Sequence, residues 1–157
     1  MTASEQDGLD ALGEAAHGGG VSAWLAVVSA ENVRRAVALG IAQIGHGKRA
    51  NLSRMHAGDT LIFYSPVQRL GDRIPLRHFT ALGEIADDGI WQADEGDFKP
   101  FRRRVNYADA APVELGSVRD QLHLTAGRNS GYQLRRGCVP LDAHDVNVLR
   151  FAMARSR

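Results

Sequence analysis

The segment Gly45-His46-Gly47-Lys48-Arg49 holds residue types suited to meeting an anion or a flat ring. Two glycines let the backbone approach closely, and an imidazole and two cations stand beside them. A phosphate-binding loop is the first chemistry to test. That pattern requires a glycine where Ala42 stands and Ser or Thr where Arg49 stands. The segment also follows a helical pattern, where a phosphate loop follows a strand, so this chemistry is excluded. A second basic run, Lys99-Pro100-Phe101-Arg102-Arg103-Arg104-Val105, has the composition of a strand. Side chains alternate across a strand, so three consecutive arginines cannot share a face. With Phe101, Val105 and Tyr107 turned inward, Arg103 joins them and must meet a sheet rim, an internal carboxylate or a pocket. Arg102 and Arg104 take the other side. Trp24, Tyr64 and Phe79, at strand ends, could frame a slot for a nucleobase, where stacking contributes on the order of 1–3 kcal/mol per base. The same aromatics are equally what a small sheet buries as core.

Catalytic signatures are absent from the sequence. Six histidines are scattered without a His-Glu-x-x-His helix, and the lone Cys138 has no Cys-x-x-Cys partner, so no metal site is expected. Cys138 as a nucleophile would need a nearby histidine, and His144 is the close one in sequence; a buried inert thiol is the plainer expectation. Asp87-Asp88 precede Gly89 in a turn pattern and read as solvated carboxylates.

The elements that must position these residues follow from composition and periodicity. The chain has 157 residues, 44% hydrophobic and 24% charged, enough for one domain with its own core. Residues 1–20 carry Glu5, Asp7, Asp10 and Glu14 without Lys or Arg, and end in three glycines; a flexible acidic tail is expected. Residues 21–157 then hold 19 basic against 14 acidic groups, a charge of +5, and 17 of the basic residues are arginine. Arginine suits bidentate contact with phosphate and base edges, although a GC-rich genome produces the same bias. No signal peptide or run of about 20 apolar residues is present, so a cytoplasmic protein without membrane association is expected. The expected strands are Trp24–Val28, Thr60–Tyr64 (stopped by Ser65-Pro66), Phe79–Ala86 and Phe101–Tyr107, with a short one at Trp91. The spacing of Val33, Ala36, Val37, Gly40, Ile41 and Ile44 predicts one helix after Ser29, and Asp142 with Asp145 predicts the start of a last helix. The class is α+β.

Taken in order, Trp24-Leu25-x-Val27-Val28-Ser29, the helix into Gly45-His46-Gly47-Lys48-Arg49-Ala50, Leu52-x-x-Met55-x-x-Gly58-Asp59 and Phe63-Tyr64-Ser65-Pro66 resemble the EVE domain family of the PUA-like superfamily. The resemblance continues through Phe79-Thr80-Ala81-Leu82-Gly83 and Pro100 to Val105, and spans about residues 21–154. It implies a PUA-like pseudo-β-barrel of five to six strands with surrounding helices. Relatives in that superfamily, the YTH readers of methylated adenine and the SRA readers of methylated cytosine, take a flipped base into an aromatic-lined pocket. The implied activity is non-catalytic recognition of a modified base in bacterial DNA or RNA, without a cofactor. Carried onto this chain, Trp24 and Tyr64 would supply walls, with Phe79 and His46 beside them. Ser29, Ser65 and the backbone at Gly45 and Gly47 would read the base edge. Lys48, Arg49, Arg102 and Arg104 would hold phosphates. Tyr132 stands in the region where many family members carry a tryptophan. Two other readings share the same residues: a small-molecule sensor or protein-interaction module using the pocket, and a nucleotide-modifying enzyme using His46 or Cys138.

Overall fold

The computed structural model describes residues 21–127 and 130–155. The expected acidic tail, residues 1–20, lies outside them. The elements in chain order are β1 (Ala23–Val27), α1 (Ala30–Leu39), β2 (Ile41–Ala42), α2 (Ala50–Ser53), β3 (Thr60–Val67), β4 (Pro75–Ile85) and β5 (Trp91–Gln92). Then follow β6 (Phe101–Tyr107), β7 (Val113–Glu114), α3 (Leu115–Val118), α4 (Ser130–Gln133), β8 (Cys138–Leu141) and α5 (Ala143–Met153). The strands form one curled sheet in the order β2-β6-β4-β3-β1-β8, with β5 paired to β6 and β7 to β4. Every pairing is antiparallel except β1 with β3, which the α1 crossover makes parallel. The result is the PUA-like half-barrel that the sequence led us to expect, with six strands on its continuous path.

β3 lies at the centre and is buried on both faces, so its sequence Thr-Leu-Ile-Phe-Tyr is continuously apolar after its first residue. Ile62 and Tyr64 face a core completed by Leu25, Phe79, Leu115, Leu149 and Met153, beneath α3 and α5. Leu61 and Phe63 face a second core with Val33, Ile44, Leu52, Met55 and Val105, inside the curl and beneath α1 and α2. Each fully buried side chain of this size contributes about 1.5–3 kcal/mol.

Three boundaries differ from expectation. α1 stops at Leu39, because Gly40 takes a left-handed conformation (φ +68°) and its N–H caps Ala36 and Val37. Ile41, which continues the helical spacing by coincidence, pairs instead with Arg104 of β6, and Ala42 pairs with Arg103. β3 runs through Pro66 to Val67, with a register shift between Ser65 and Val67 where a residue without an N–H is tolerated. β4 begins at Pro75, four residues before Phe79.

Arg103 follows the strand alternation inward and is 2% exposed. Its guanidinium donates to the carbonyls of Leu52 (2.9 Å), Met55 (2.5 Å) and Asp87 (2.6 Å). The Asp88 carboxylate stands 3.8 Å away. Leu52 lies in the last turn of α2 and Met55 just beyond it, where carbonyls run short of helical partners. Among the described residues no helix is long and apolar enough to cross a membrane. Replacing Arg103 by Met would take the shared donor from the carbonyls of Leu52, Met55 and Asp87, and we expect a loss of about 3–5 kcal/mol in urea unfolding, because breaking a buried charged network leaves partners unpaired. Arg103→Lys should recover only a part, since an ammonium lacks the planar fork that reaches three carbonyls.

Candidate functional site

The C-terminal end of β1 delivers Val27 and Val28 to the rim of the curl, and the chain turns at Ser29 into α1. Ser29 occupies the N-cap position, yet its hydroxyl makes no capping bond. It is 7% exposed and has no hydrogen-bond partner. The first turn of α1 is satisfied otherwise, with the Glu31 N–H donating to the Gln68 carbonyl at 2.9 Å. A buried hydroxyl without a partner costs about 1–3 kcal/mol.

Ser29 lines a cleft of about 580 Å³. α1 contributes Asn32, Arg35, Ala36 and Leu39 to it, and Gly45, His46 and Gly47 supply the opposite rim. The walls are completed by Pro66, Val67 and Leu70 from the β3–β4 side, Phe98 and Arg102 from the β5–β6 side, and Arg135 and Gly137 ahead of β8. Asn32 follows Ser29 by three residues, so the two polar groups lie on adjacent turns of one face.

The loop rim is made by three consecutive left-handed residues, Gly45 (φ +58°), His46 (+60°) and Gly47 (+79°). Gly47 packs flat on the β5–β6 connection: a β-carbon there would lie 2.6 Å from the Pro100 Cβ and 3.1 Å from the Phe98 ring. This close approach brings Phe98, 43% exposed, to the mouth of the cleft. One wall is electrostatically tied. Glu95 accepts from Arg102 (2.6 Å) and Arg35 (3.2 Å), and Arg102 Nε donates to the Gln43 side-chain carbonyl at 2.9 Å.

The structure brings Ser29, Gly45, His46, Gly47 and Arg102 together at this cleft and places the other expected site residues elsewhere. Trp24 is anchored by its indole N–H, which donates to Asp59 at 3.0 Å, and by the Arg54 guanidinium 4.7 Å from its ring. Tyr64 and Phe79 pack on each other in the core, ring centroids 5.2 Å apart. Burial raises the Tyr64 phenol above its usual range, against the nearby Arg77 and Arg119 charges. Ser65 is fully buried and shares a hydrogen bond of 2.8 Å with Thr80. Tyr132 is 57% exposed beneath the Arg136 guanidinium and lies outside the cleft lining. Lys48 and Arg49 are exposed on the chain just beyond the loop, Arg49 lying over Phe101 at 5.9 Å. Arg104 instead pairs with Asp87 (3.5 Å) and covers Trp91. Asn32, Arg35, Gln43, Glu95, Phe98 and Arg135 escaped sequence reasoning. Only Asn32 carried a signal, its helical spacing from Ser29.

A sequence profile of the EVE domain matches residues 22–150. The chain belongs to the EVE domain family. A UPF0310 protein of Renibacterium salmoninarum is 48% identical over 130 residues, covering 83% of this chain and 94% of that protein. A UPF0310 protein of Mycolicibacterium gilvum is 37% identical over 133 residues, with 83% and 94% covered. Among solved structures, the YTH domain of the Zygosaccharomyces rouxii MRB1 protein, in complex with N6-methyladenosine RNA, superposes with a TM-score of 0.61 at 12% identity. That match covers 91% of this chain and 94% of the other. The NMR structure of Rpa0253 from Rhodopseudomonas palustris follows the same fold with a TM-score of 0.56 at 17% identity, covering 85% and 93%. At these identities the structural matches establish the fold.

Two other clusters in this EVE domain bear on chemistry. Cys138 is 4% exposed, and burial pushes its thiol up to about 11 despite the neighbouring Arg54 and Arg136 charges. His123, His144 and Asp145 have donor atoms within 4.8 Å of one another. The two imidazoles are stacked 4.0 Å apart and nearly parallel, so their in-plane lone pairs do not converge, and Asp145 is occupied by the N–H groups of His123 and Leu124.

Gly47→Ala should cost at least about 1–3 kcal/mol in thermal or urea unfolding, from left-handed strain and the clash with Pro100. Cys138 should resist iodoacetamide at pH 8 in the native protein and label fully in denaturant, read by mass spectrometry. The raised thiol also sets a sign for stability. Its contribution is full below the unfolded thiol's pKa and declines as pH rises toward about 11.

Proposed function

We propose that this EVE domain is a non-catalytic nucleic-acid-binding module that receives a modified base, flipped out of its stack, in the cleft between α1 and the Gly45–Gly47 loop. The observation that carries this reading is the Ser29 hydroxyl, buried at the cleft wall without a partner. The cleft's volume of about 580 Å³ falls in the range of sites that enclose small organic groups. The YTH fold neighbour in complex with N6-methyladenosine RNA supports the same reading. The aromatic role passes from Trp24 and Tyr64, which hold the frame, to Phe98. Ser29, Asn32 and the loop backbone would read the base edge. Arg35 and Arg135 in the cleft, with Lys48 and Arg49 beyond its rim, would hold the flanking phosphates. Arg102 is committed to Glu95 and Gln43 and acts as a positioning residue.

A binding role also accounts for the absence of an activated nucleophile at the cleft among the described residues, since Cys138 is buried, protonated and outside the lining. Its unpaired thiol fits a cytoplasmic place of action. Fluorescence anisotropy with oligonucleotides carrying N6-methyladenine, 5-methylcytosine or no modification is the direct test. We expect preference for one modified oligonucleotide, and an affinity that falls with salt because phosphates are contacted. Ser29→Ala should weaken that binding about fivefold to twentyfold, the worth of one hydrogen bond, without lowering thermal stability. Equal binding of all oligonucleotides, with Ser29→Ala and Phe98→Ala both silent, would overturn the proposal. Tight binding of an uncharged small molecule with no salt dependence would establish the sensor reading instead.

A further inference from the structure

The connection between β3 and β4 is at odds with its own chemistry. The segment Gln68-Arg69-Leu70-Gly71-Asp72-Arg73-Ile74 is exposed throughout, and Leu70 and Ile74 are 77% and 82% exposed. Large aliphatic side chains in water at the tip of a hairpin contribute nothing to the core. The tip is nonetheless ordered by reciprocal bonds: the Asp72 N–H donates to the Arg69 carbonyl at 3.0 Å, and the Arg69 N–H donates to the Asp72 carboxylate at 3.1 Å. These two bonds fix the backbone of the turn from which the aliphatic side chains project.

The charges around the aliphatics are mostly basic. Arg69, Arg73 and Arg77 flank Leu70 and Ile74 on both sides, against Asp72, which is spent on the turn, and Glu31 of α1, whose carboxylate lies 3.4 Å from the exposed Arg69 guanidinium. Arg77 is held with φ +56°, a backbone that non-glycine residues seldom adopt. The tip also adjoins the cleft, because Pro66, Val67 and Leu70 form part of its wall. Apolar side chains bordered by arginines are the composition of a wedge that enters between base pairs while the cations meet the phosphates on either side.

Resting on the base-flipping reading above, we propose that the β3–β4 hairpin is a duplex wedge. Leu70 and Ile74 fill the space in the stack that a flipped base vacates, and Arg69 and Arg73 hold the phosphates beside it. The target is therefore base-paired nucleic acid. Flipping a base from a duplex costs a few kcal/mol of stacking and pairing, and occupying the vacated space offsets a part of that cost. A single strand has no such space, so the aliphatics confer no advantage there.

The test compares a short DNA duplex with its single strand, each carrying N6-methyladenine or 5-methylcytosine, with 2-aminopurine next to the modified base. Ile74→Ser and the double change Leu70→Ser with Ile74→Ser are the variants. Both positions are exposed, so both proteins should fold as the parent does, and Ile74 lies outside the cleft lining. We expect duplex affinity to fall about tenfold in the double variant and by a smaller factor in Ile74→Ser, whose single-strand affinity should stay within about twofold. The 2-aminopurine fluorescence rise on duplex binding should be lost together with the duplex affinity. Arg73→Gln should weaken both substrates, because both carry phosphates. Equal losses on duplex and single strand in Ile74→Ser, or no duplex loss in either variant, would overturn the wedge while leaving the cleft reading intact. So would sedimentation showing a parental dimer that the double variant dissociates, since the aliphatics would then belong to a protein contact. If the parent prefers no modified oligonucleotide, the cleft reading has failed first and the wedge falls with it.

Discussion

A buried cation with too little formal counter-charge organises this domain. Arg103 enters the inner core from β6 and is neutralised mainly by dipoles: the carbonyls closing α2 and the turn at Asp87, with the Asp88 carboxylate at longer range. Removing a guanidinium from water has a large desolvation penalty, and only a convergent set of acceptors offsets it. The segment from Leu52 to Met55, the turn after β4, and β6 itself must therefore arrive in one arrangement. That arrangement sets β6 against β2, and with it the neighbouring Arg102 on the opposite face, where it meets Gln43 and Glu95 at the cleft. The core cation and the cleft wall are consecutive residues of one strand, so the register that satisfies one positions the other.

The cleft itself depends on bonds that are not made. An N-cap serine ordinarily spends its hydroxyl on the first turn of its helix. Here the Gln68 carbonyl takes the Glu31 N–H, and the serine hydroxyl is left buried without a partner. Opposite it, three left-handed residues in succession turn the chain tightly enough to rest on Pro100. Both features lower the stability of the unoccupied domain slightly, and both put hydrogen-bonding groups where solvent is restricted. The charge balance of the wall follows the same logic: Glu95 absorbs Arg102 and moderates Arg35, and so keeps the pocket from being uniformly cationic.

Much of the fold was legible in the sequence because the decisive patterns were local. β1, β6 and α5 follow from alternation and capping, and alternation alone required Arg103 to point inward. The helix after Ser29 was overextended because Ile41 and Ile44, core residues of the next segment, kept up a helical spacing beyond Gly40. Glycine at that point was the stop signal. The site was less legible, since its walls come from segments far apart in sequence. Phe98 reaches the cleft through the contact between Gly47 and Pro100, which no periodicity encodes. Trp24 and Tyr64 had the residue type of a base cage, but Asp59 accepts the indole N–H and Phe79 stands directly across the strand pair from Tyr64, so both aromatics serve the frame.

Among the described residues, the continuous path of strands ends at β2 and β8. β2 is two residues long, too short to template a neighbour. β8 carries Pro140 opposite Trp24 of β1, and a proline in a border strand withholds an amide from any newcomer. Neither margin invites another chain to extend the sheet by hydrogen bonding. At these two margins strand addition is discouraged, so adhesion there falls to side chains rather than to backbone.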